Sequence, residues 1–179
     1  MKTLLQLFAM AGIAAAGCAH AVPPATETLM HTQTGFDLVV HLPYNQTTPL
    51  FGPEGERAWA SPHWDPRFIY PKPARDAQGA VFTVRHGPFD AVWVNTLFDV
   101  DARHFQYVYF IPDIMVTVID VRFKSVSADA TAVNVLYTRT AITTQGNEHV
   151  TAMGEGDKTA GKDWQQAIDA YLASVANRQ

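Results

Sequence analysis

The chain has 179 residues, 47% of them hydrophobic and 17% charged, with a formal net charge of −4. That is enough apolar material for one globular domain with a sizeable core, and nothing in the composition divides it into two. With 13 basic against 17 acidic residues and no basic stripe, the sequence argues against a nucleic-acid partner.

Residues 1–21 read as an export signal and are set aside from fold reasoning. Lys2 precedes an apolar run through Leu4, Leu5, Leu7, Phe8, Ala9, Met10 and residues 13–16, too short for a comfortable bilayer span. Ala19-His20-Ala21 is an A-x-A cleavage pattern, and cleavage there removes only Lys2 from the charge count, leaving about −5. The only cysteine, Cys18, follows Ala15-Ala16-Gly17, which resembles a bacterial lipoprotein box with Ala15 in place of the usual leucine. Cleavage after Ala21 discards Cys18, whereas lipidation keeps it as a membrane anchor. Simple cleavage is the preferred reading, and either route exports the protein, to the periplasm or to a membrane as a lipoprotein. The chain after Ala21 has no cysteine, so disulfides contribute nothing and stability rests on core burial. Residues 22–30 form a loose lead-in, and residues 31–179 a single domain.

Residues 31–42 alternate as a first strand, with Phe36, Leu38, Val40 and Leu42 on one face and Asp37, Val39 and His41 on the other, ending at Pro43. Residues 45–51 predict a short helical turn capped by Asn45, with Leu50 and Phe51 inward and Pro49 preventing a long helix. Residues 52–57 carry turn chemistry. Residues 58–70 hold five aromatic or histidine rings and two prolines, and predict an irregular cover loop over something apolar. After a polar connector at 71–78 comes a meander of strands at 81–85, 89–98, 103–111, 114–124 and 131–144. The short connections force antiparallel neighbours.

Faces are clear in the last two strands: Thr117, Ile119, Val121 and Phe123 oppose Asp120, Arg122 and Lys124, and Val133, Val135 and Tyr137 oppose Asn134 and Thr138. The strands at 89–98 and 103–111 are apolar on both faces, Trp93 and Leu97 against Val92, Val94 and Phe98, and Phe105, Tyr107 and Tyr109 against Val108 and Phe110. Such strands are expected to be central or covered on both sides. The tail carries the strongest helical period: Trp164, Ala167, Ile168, Tyr171, Leu172 and Val175, opposite Asp163, Gln165, Gln166 and Asp169. Residues 148–153 predict an earlier turn of the same helix, with Gly154 and Gly156 as a break or weak point.

Strand, helical cover, antiparallel meander and long amphipathic helix make an α+β pattern. That order resembles the START-like, helix-grip superfamily (SRPBCC), in its polyketide cyclase and lipid-transport branch. The resemblance spans about residues 36–175. It is carried by Gly55-Glu56-Arg57-Ala58-Trp59 in the cover, Gly79-Ala80-Val81-Phe82 opening the meander, residues 131–137, and Asp163-Trp164 leading the last helix. It implies a helix-grip fold, a curved antiparallel sheet of about six strands wrapped around a long C-terminal helix. It also implies a deep apolar cavity for lipids, sterols, polyketides or other hydrophobic molecules; the export signal departs from the family's many cytoplasmic members and marks this chain as an exported one.

Two groups of residues are candidates for that site. In the cover, Trp59, Trp64 and Phe68 would close an apolar lid while His63 and Asp65 offer polar groups at its mouth, or the same rings simply plug the core, with Glu56, Arg57 and Asp65 shaping the loop. On the inner face, Trp93, Asn95, Tyr107, Tyr109, Thr117, Ile119, Val135 and Tyr137 would line the cavity, with Trp164 and Ile168 facing them from the helix. Asn95 is open as to face. A tyrosine hydroxyl there could orient a carbonyl or donate a proton. His63, His86, His104 and His149 are scattered, and none has a partner that marks it as a base. There is no metal-ligand spacing, nucleophile elbow, phosphate loop or dinucleotide fingerprint, so no metal and no cofactor are expected. Asn45-Gln46-Thr47 fits a glycosylation sequon by chance in a bacterial-type chain. The expected partner is a hydrophobic small molecule. The alternatives are a cyclase, hydratase or isomerase using the same cavity, or a protein-interaction module with a filled core.

Overall fold

A computed structural model describes residues 28–60 and 62–178. The leader, Cys18 and residues 22–27 of the lead-in lie outside the described residues. One sheet of seven antiparallel strands runs in the order β1-β7-β6-β5-β4-β3-β2. Its strands are β1 (His31–Val40), β2 (Arg67–Tyr70), β3 (Val81–His86), β4 (Phe89–Asp99), β5 (His104–Ile111), β6 (Met115–Ser127) and β7 (Ala130–Ala141). Helix α1 (Tyr44–Thr47) and two 3₁₀ turns, Thr48–Phe51 and Gly55–Ala58, form the cover, and α2 (Thr144–Ala176) closes the chain. This is the helix-grip arrangement, with one strand more than the sequence suggests.

The extra strand is β2, inside the stretch read as an irregular loop. It is four residues long, pairs only with β3, and has a register shift between Phe68 and Tyr70. Pro66 and Pro71 bracket it, which an edge strand tolerates. The short helix also differs in detail: it starts after Pro43, with no side-chain cap, and Asn45 lies within it.

Inward-facing side chains form rows across the sheet. One row runs Phe82, Trp93, Tyr109, Thr117, Arg139, and the next runs Asn95, Tyr107, Ile119, Tyr137, Thr34. A bulge at Thr96 adds one residue to β4 and reverses its parity. Leu97 therefore leaves the face of Trp93, and Phe98 turns in to stack on Phe105 at 4.0 Å. β4 and β5 are interior strands of the sheet, the first of the two expected arrangements, and are not covered on both faces. Val92 and Phe110 stand exposed on the outer face, because α2 occupies the inner face alone.

Helix α2 is a single 33-residue element. Thr143 caps it by accepting from the Gly146 amide at 3.2 Å, and it passes through Gly154 and Gly156 without a break. Its buried stripe runs Gly146, Val150, Asp157, Ile168, with Met153, Gly161 and Trp164 half-buried along it. The helix packs mainly on β1 and β7. At Gly161 it comes so close that an added Cβ would lie 2.9 Å from the Phe36 Cβ. The Gln165 side-chain amide accepts from the Val39 amide at 3.0 Å and donates to the Val39 carbonyl at 2.9 Å, occupying the free edge of β1.

The strongest polar contact between helix and sheet is Arg139 of β7 with Asp157 of α2, whose side chains are 3% and 9% exposed. Both guanidinium Nη atoms donate to the carboxylate, Nη2 to Oδ1 at 2.9 Å, and the Thr34 hydroxyl of β1 also donates to it. The Arg139 guanidinium lies 4.4 Å over the Tyr137 ring.

Three stability outcomes follow, all read by urea denaturation. Gly161→Ala should destabilise by about 1–3 kcal/mol through overpacking. Gly156→Ala, where a methyl group meets open space, and Gly154→Ala, where it meets only the Thr34 methyl at 4.0 Å, should each stabilise by about 0.5–1 kcal/mol. Asp157→Leu should cost about 3–5 kcal/mol by stranding a buried guanidinium, and adding Arg139→Met should recover most of it.

Candidate functional site

The inner face of the sheet and α2 enclose a cavity of about 1160 Å³. Phe51, Phe105, Phe123, Val133 and Ile168 fill the space toward one end of the sheet, and the cavity takes the other. Phe51 anchors the division: it meets Phe123 edge-on at 5.4 Å, and the buried Tyr107 hydroxyl donates to its carbonyl at 2.5 Å.

The cover is fastened from behind. Asp76, in the connector before β3, accepts from the amides of Glu54 at 2.8 Å and Gly55 at 3.3 Å. Gly55 has no room for a side chain, since an added Cβ would lie 1.7 Å from the Pro49 carbonyl oxygen. Arg57 points outward to Glu54, Asp65 and the Pro66 carbonyl, tying the two ends of the loop together. Trp59 donates its indole N–H to the Leu50 carbonyl at 2.7 Å, and Trp64 to the Pro53 carbonyl at 2.9 Å. Each indole therefore spends its polar group on the cover's backbone and turns its rings to the interior.

All four tryptophans of the chain line the cavity: Trp59 and Trp64 from the cover, Trp93 from β4 and Trp164 from α2. Trp59 meets Trp164 at 5.2 Å and Trp64 meets Trp93 at 5.4 Å, both edge to face. Tyr107, Tyr109, Ile119 and Tyr137 complete the part of the lining that the sequence put forward, and His63 stands exposed at the rim. Pro62 and His63 of the cover, with Arg85 and Gly87 near the β3–β4 turn, mark the mouth.

Five residues put forward as ligand-binding are placed behind the lining. Phe68 sits on the edge strand and stacks on Phe82 at 5.3 Å. Asn95 faces inward but donates to the Ala77 carbonyl at 3.2 Å, fastening the connector. Thr117 is wholly buried in the row between Tyr109 and Arg139. Val135 and Ile168 are wholly buried in the filled end of the core. Asp65, read as a mouth residue, is exposed and held by Arg57 and Arg67 instead.

Six polar lining residues were absent from the proposed ligand-binding set: Glu56, Arg85, His86, Arg139, Asp157 and Asp163. Arg139 was legible, because the alternation that turns Tyr137 inward turns Arg139 inward two residues later. His86 was taken for a turn residue, but it ends β3. Its ring stacks on Tyr109 at 5.2 Å and on Trp93 at 5.8 Å. Glu56 lies in an irregular segment where no period indicates a face.

Burial sets the chemistry of these groups. It lowers the His86 imidazole below the usual histidine value, which favours the neutral form. Burial, with the nearby Asp76 charge, pushes the Glu56 carboxyl well above the usual carboxylate range. Burial likewise raises Tyr107, Tyr109 and Tyr137, so their hydroxyls stay protonated at neutral pH. The Nε of Arg139, Nε1 of Trp93 and Nε2 of His86 are buried without a hydrogen-bond partner among the described residues. No cluster of three or more histidine, cysteine, aspartate or glutamate side chains suited to a metal occurs among the described residues.

No protein-family profile matches the sequence, and no curated protein matches it. Solved structures do match in shape. Norcoclaurine synthase from Thalictrum flavum superposes with a TM-score of 0.60 at 9% identity, over 92% of this chain and 99% of that one. The Zhui aromatase/cyclase from Streptomyces sp. R1128 gives 0.60 at 14% identity, over 82% and 96%. Ara h 8.0201 gives 0.55 at 10% identity, over 81% and 99%. At these identities the likeness is one of fold alone, and the chain shares with these structures the helix-grip arrangement of a curved antiparallel sheet and a long C-terminal helix.

Proposed function

We propose that this protein binds a hydrophobic small molecule, a lipid or a polyketide-like or aromatic compound, in the cavity between the sheet and α2. The observation that carries the reading is the cavity itself, about 1160 Å³ and walled by all four tryptophans and three tyrosines. Small-molecule pockets span roughly 300–1,000 Å³ and are mostly apolar with a few placed polar groups. A module that only docks other proteins has no use for a hollow core, so the cavity favours ligand binding over that alternative. The leader sequence supports export, with the periplasm as the place of action and a lipid anchor at Cys18 as the alternative.

One observation favours a second reading, an enzyme of cyclase, hydratase or isomerase type. His86 lines the cavity and is held in its neutral, proton-accepting form by burial, with its ring packed on Tyr109. A neutral imidazole beside a protonated phenol is a workable base and acid.

The binding reading is tested with the neutral fluorescent probe N-phenyl-1-naphthylamine and by native mass spectrometry of the protein as purified. The wild type should bind the probe, or carry an apolar ligand that the probe displaces. Ala167→Trp, which puts an indole into the cavity from α2, should weaken binding about tenfold or more while urea denaturation still shows a cooperative fold. A folded wild type that binds neither would refute the reading.

Burial of neutral His86 also has a signed pH effect. The folded state resists protonating this ring, so its contribution to stability is complete above the unfolded value of about 6.5 and declines as pH falls from there toward the lower folded value. Denaturation between pH 5 and 8 should show that decline, and His86→Gln should remove part of it.

A further inference from the structure

Glu56 is the one carboxyl of the cavity lining whose side chain makes no hydrogen bond or ion pair among the described residues. Of the other two lining carboxylates, Asp157 is taken up by Arg139 and Thr34, and Asp163 accepts from Thr159 at 2.9 Å. The half-buried Glu56 sits on the inner side of the cover, next to its neighbour in the lining, Trp59.

The titratable groups around it are acidic. Asp76 lies behind it in the connector before β3. Tyr107 of β5 and Tyr137 of β7 face it from the sheet, each raised by burial first and by the Glu56 charge second. Asp163 lines the same cavity from α2. The cations of the region are committed elsewhere. Arg57, the next residue, turns outward to Glu54 and Asp65. Arg85 is held by Asp90 and the Gly87 carbonyl, and Arg139 by Asp157. An unmatched carboxyl in a wall of tryptophan is suited to a cation, because indole rings attract ammonium groups more strongly than any other side-chain ring and a nearby carboxylate supplies the counter-charge.

We propose that the cavity selects a cationic amphiphile, an amine carried on an apolar body, with the ammonium group against Glu56 and the body among the tryptophans. The inference rests on the binding reading above. In the empty cavity, burial and Asp76 favour the protonated carboxyl. Binding an ammonium ion then expels that proton: Glu–COOH plus R–NH₃⁺ gives the Glu–COO⁻/R–NH₃⁺ pair plus a proton to solvent. Affinity for the ammonium should therefore rise with pH until Glu56 ionises on its own, and fall again above the amine's own pKa.

The test pairs 4-phenylbutylamine with its neutral counterpart 4-phenylbutanol, titrated calorimetrically into the wild type and Glu56→Gln. Running the amine in two buffers of different ionisation enthalpy counts the protons released. The wild type should prefer the amine by about tenfold or more with net proton release. In Glu56→Gln the preference should shrink to within about threefold and proton release should vanish, while alcohol binding is kept and certifies that the variant is folded. Equal affinities in the wild type, or a preference that survives Glu56→Gln, would overturn the cationic assignment and leave the cavity reading standing. Failure of both compounds to bind the wild type would overturn both.

Discussion

The ion pair between Arg139 and Asp157 governs the geometry of everything around it. Ionised side chains removed from water need each other's charge and hydrogen bonds, so neither can move without stranding the other. Arg139 projects from β7 and Asp157 from α2, with the Thr34 hydroxyl of β1 closing the group. The pair therefore fixes which turn of the helix faces which residues of the sheet. With Gly161 seated on Phe36 one turn further on, it draws α2 tightly to the β1–β7 side. It also keeps the helix from sinking onto β3, β4 and β5.

The cavity is what this leaves. On one side the helix is pinned, and on the other the cover stands off the sheet, held by Asp76 and by two tryptophans hydrogen-bonded to its backbone. Between them Phe51 and its neighbours fill one end, and the cavity takes the other. The space opens at its mouth, so its largely apolar wall faces solvent instead of packed side chains. The polar groups are distributed unevenly around it. Arg139 and Asp157 are paired with each other, the tyrosine hydroxyls stay protonated, burial favours the neutral form of His86, and the Glu56 side chain makes no hydrogen bond among the described residues.

Much of this was legible in the chain. Period-two alternation places β3 to β7 and their faces, because one side of each strand is buried and the pleat enforces the pattern. The aromatic lining follows from the same rule. The rest was hidden by local exceptions. β2 is four residues between prolines, too short for any period. The bulge at Thr96 reverses the parity of β4 between Trp93 and Phe98. The first half of α2 gave no clear stripe because the positions that continue it are Asp157 and Gly161, a charge and a missing side chain at core-facing sites. Both depend on partners far away in sequence, Arg139 and Phe36, and no local pattern reports a distant partner. Glu56 was read as shaping the cover loop, because the cover has no repeating geometry from which a direction could be read.

The Gln165 amide on Val39 has a consequence beyond helix docking. A sheet grows by offering alternating amide and carbonyl groups to an incoming strand, and exposed edges recruit other chains. On β1 the carboxamide of Gln165 satisfies one such pair with the geometry of a peptide group, so the helix acts as a single rung of a strand that never continues. The opposite edge, β2, is cut short by Pro66 and Pro71. With one margin sealed by a borrowed amide and the other by missing donors, the sheet has a built-in width. That limit leaves few unpaired amide and carbonyl groups at these two positions for a further strand to join.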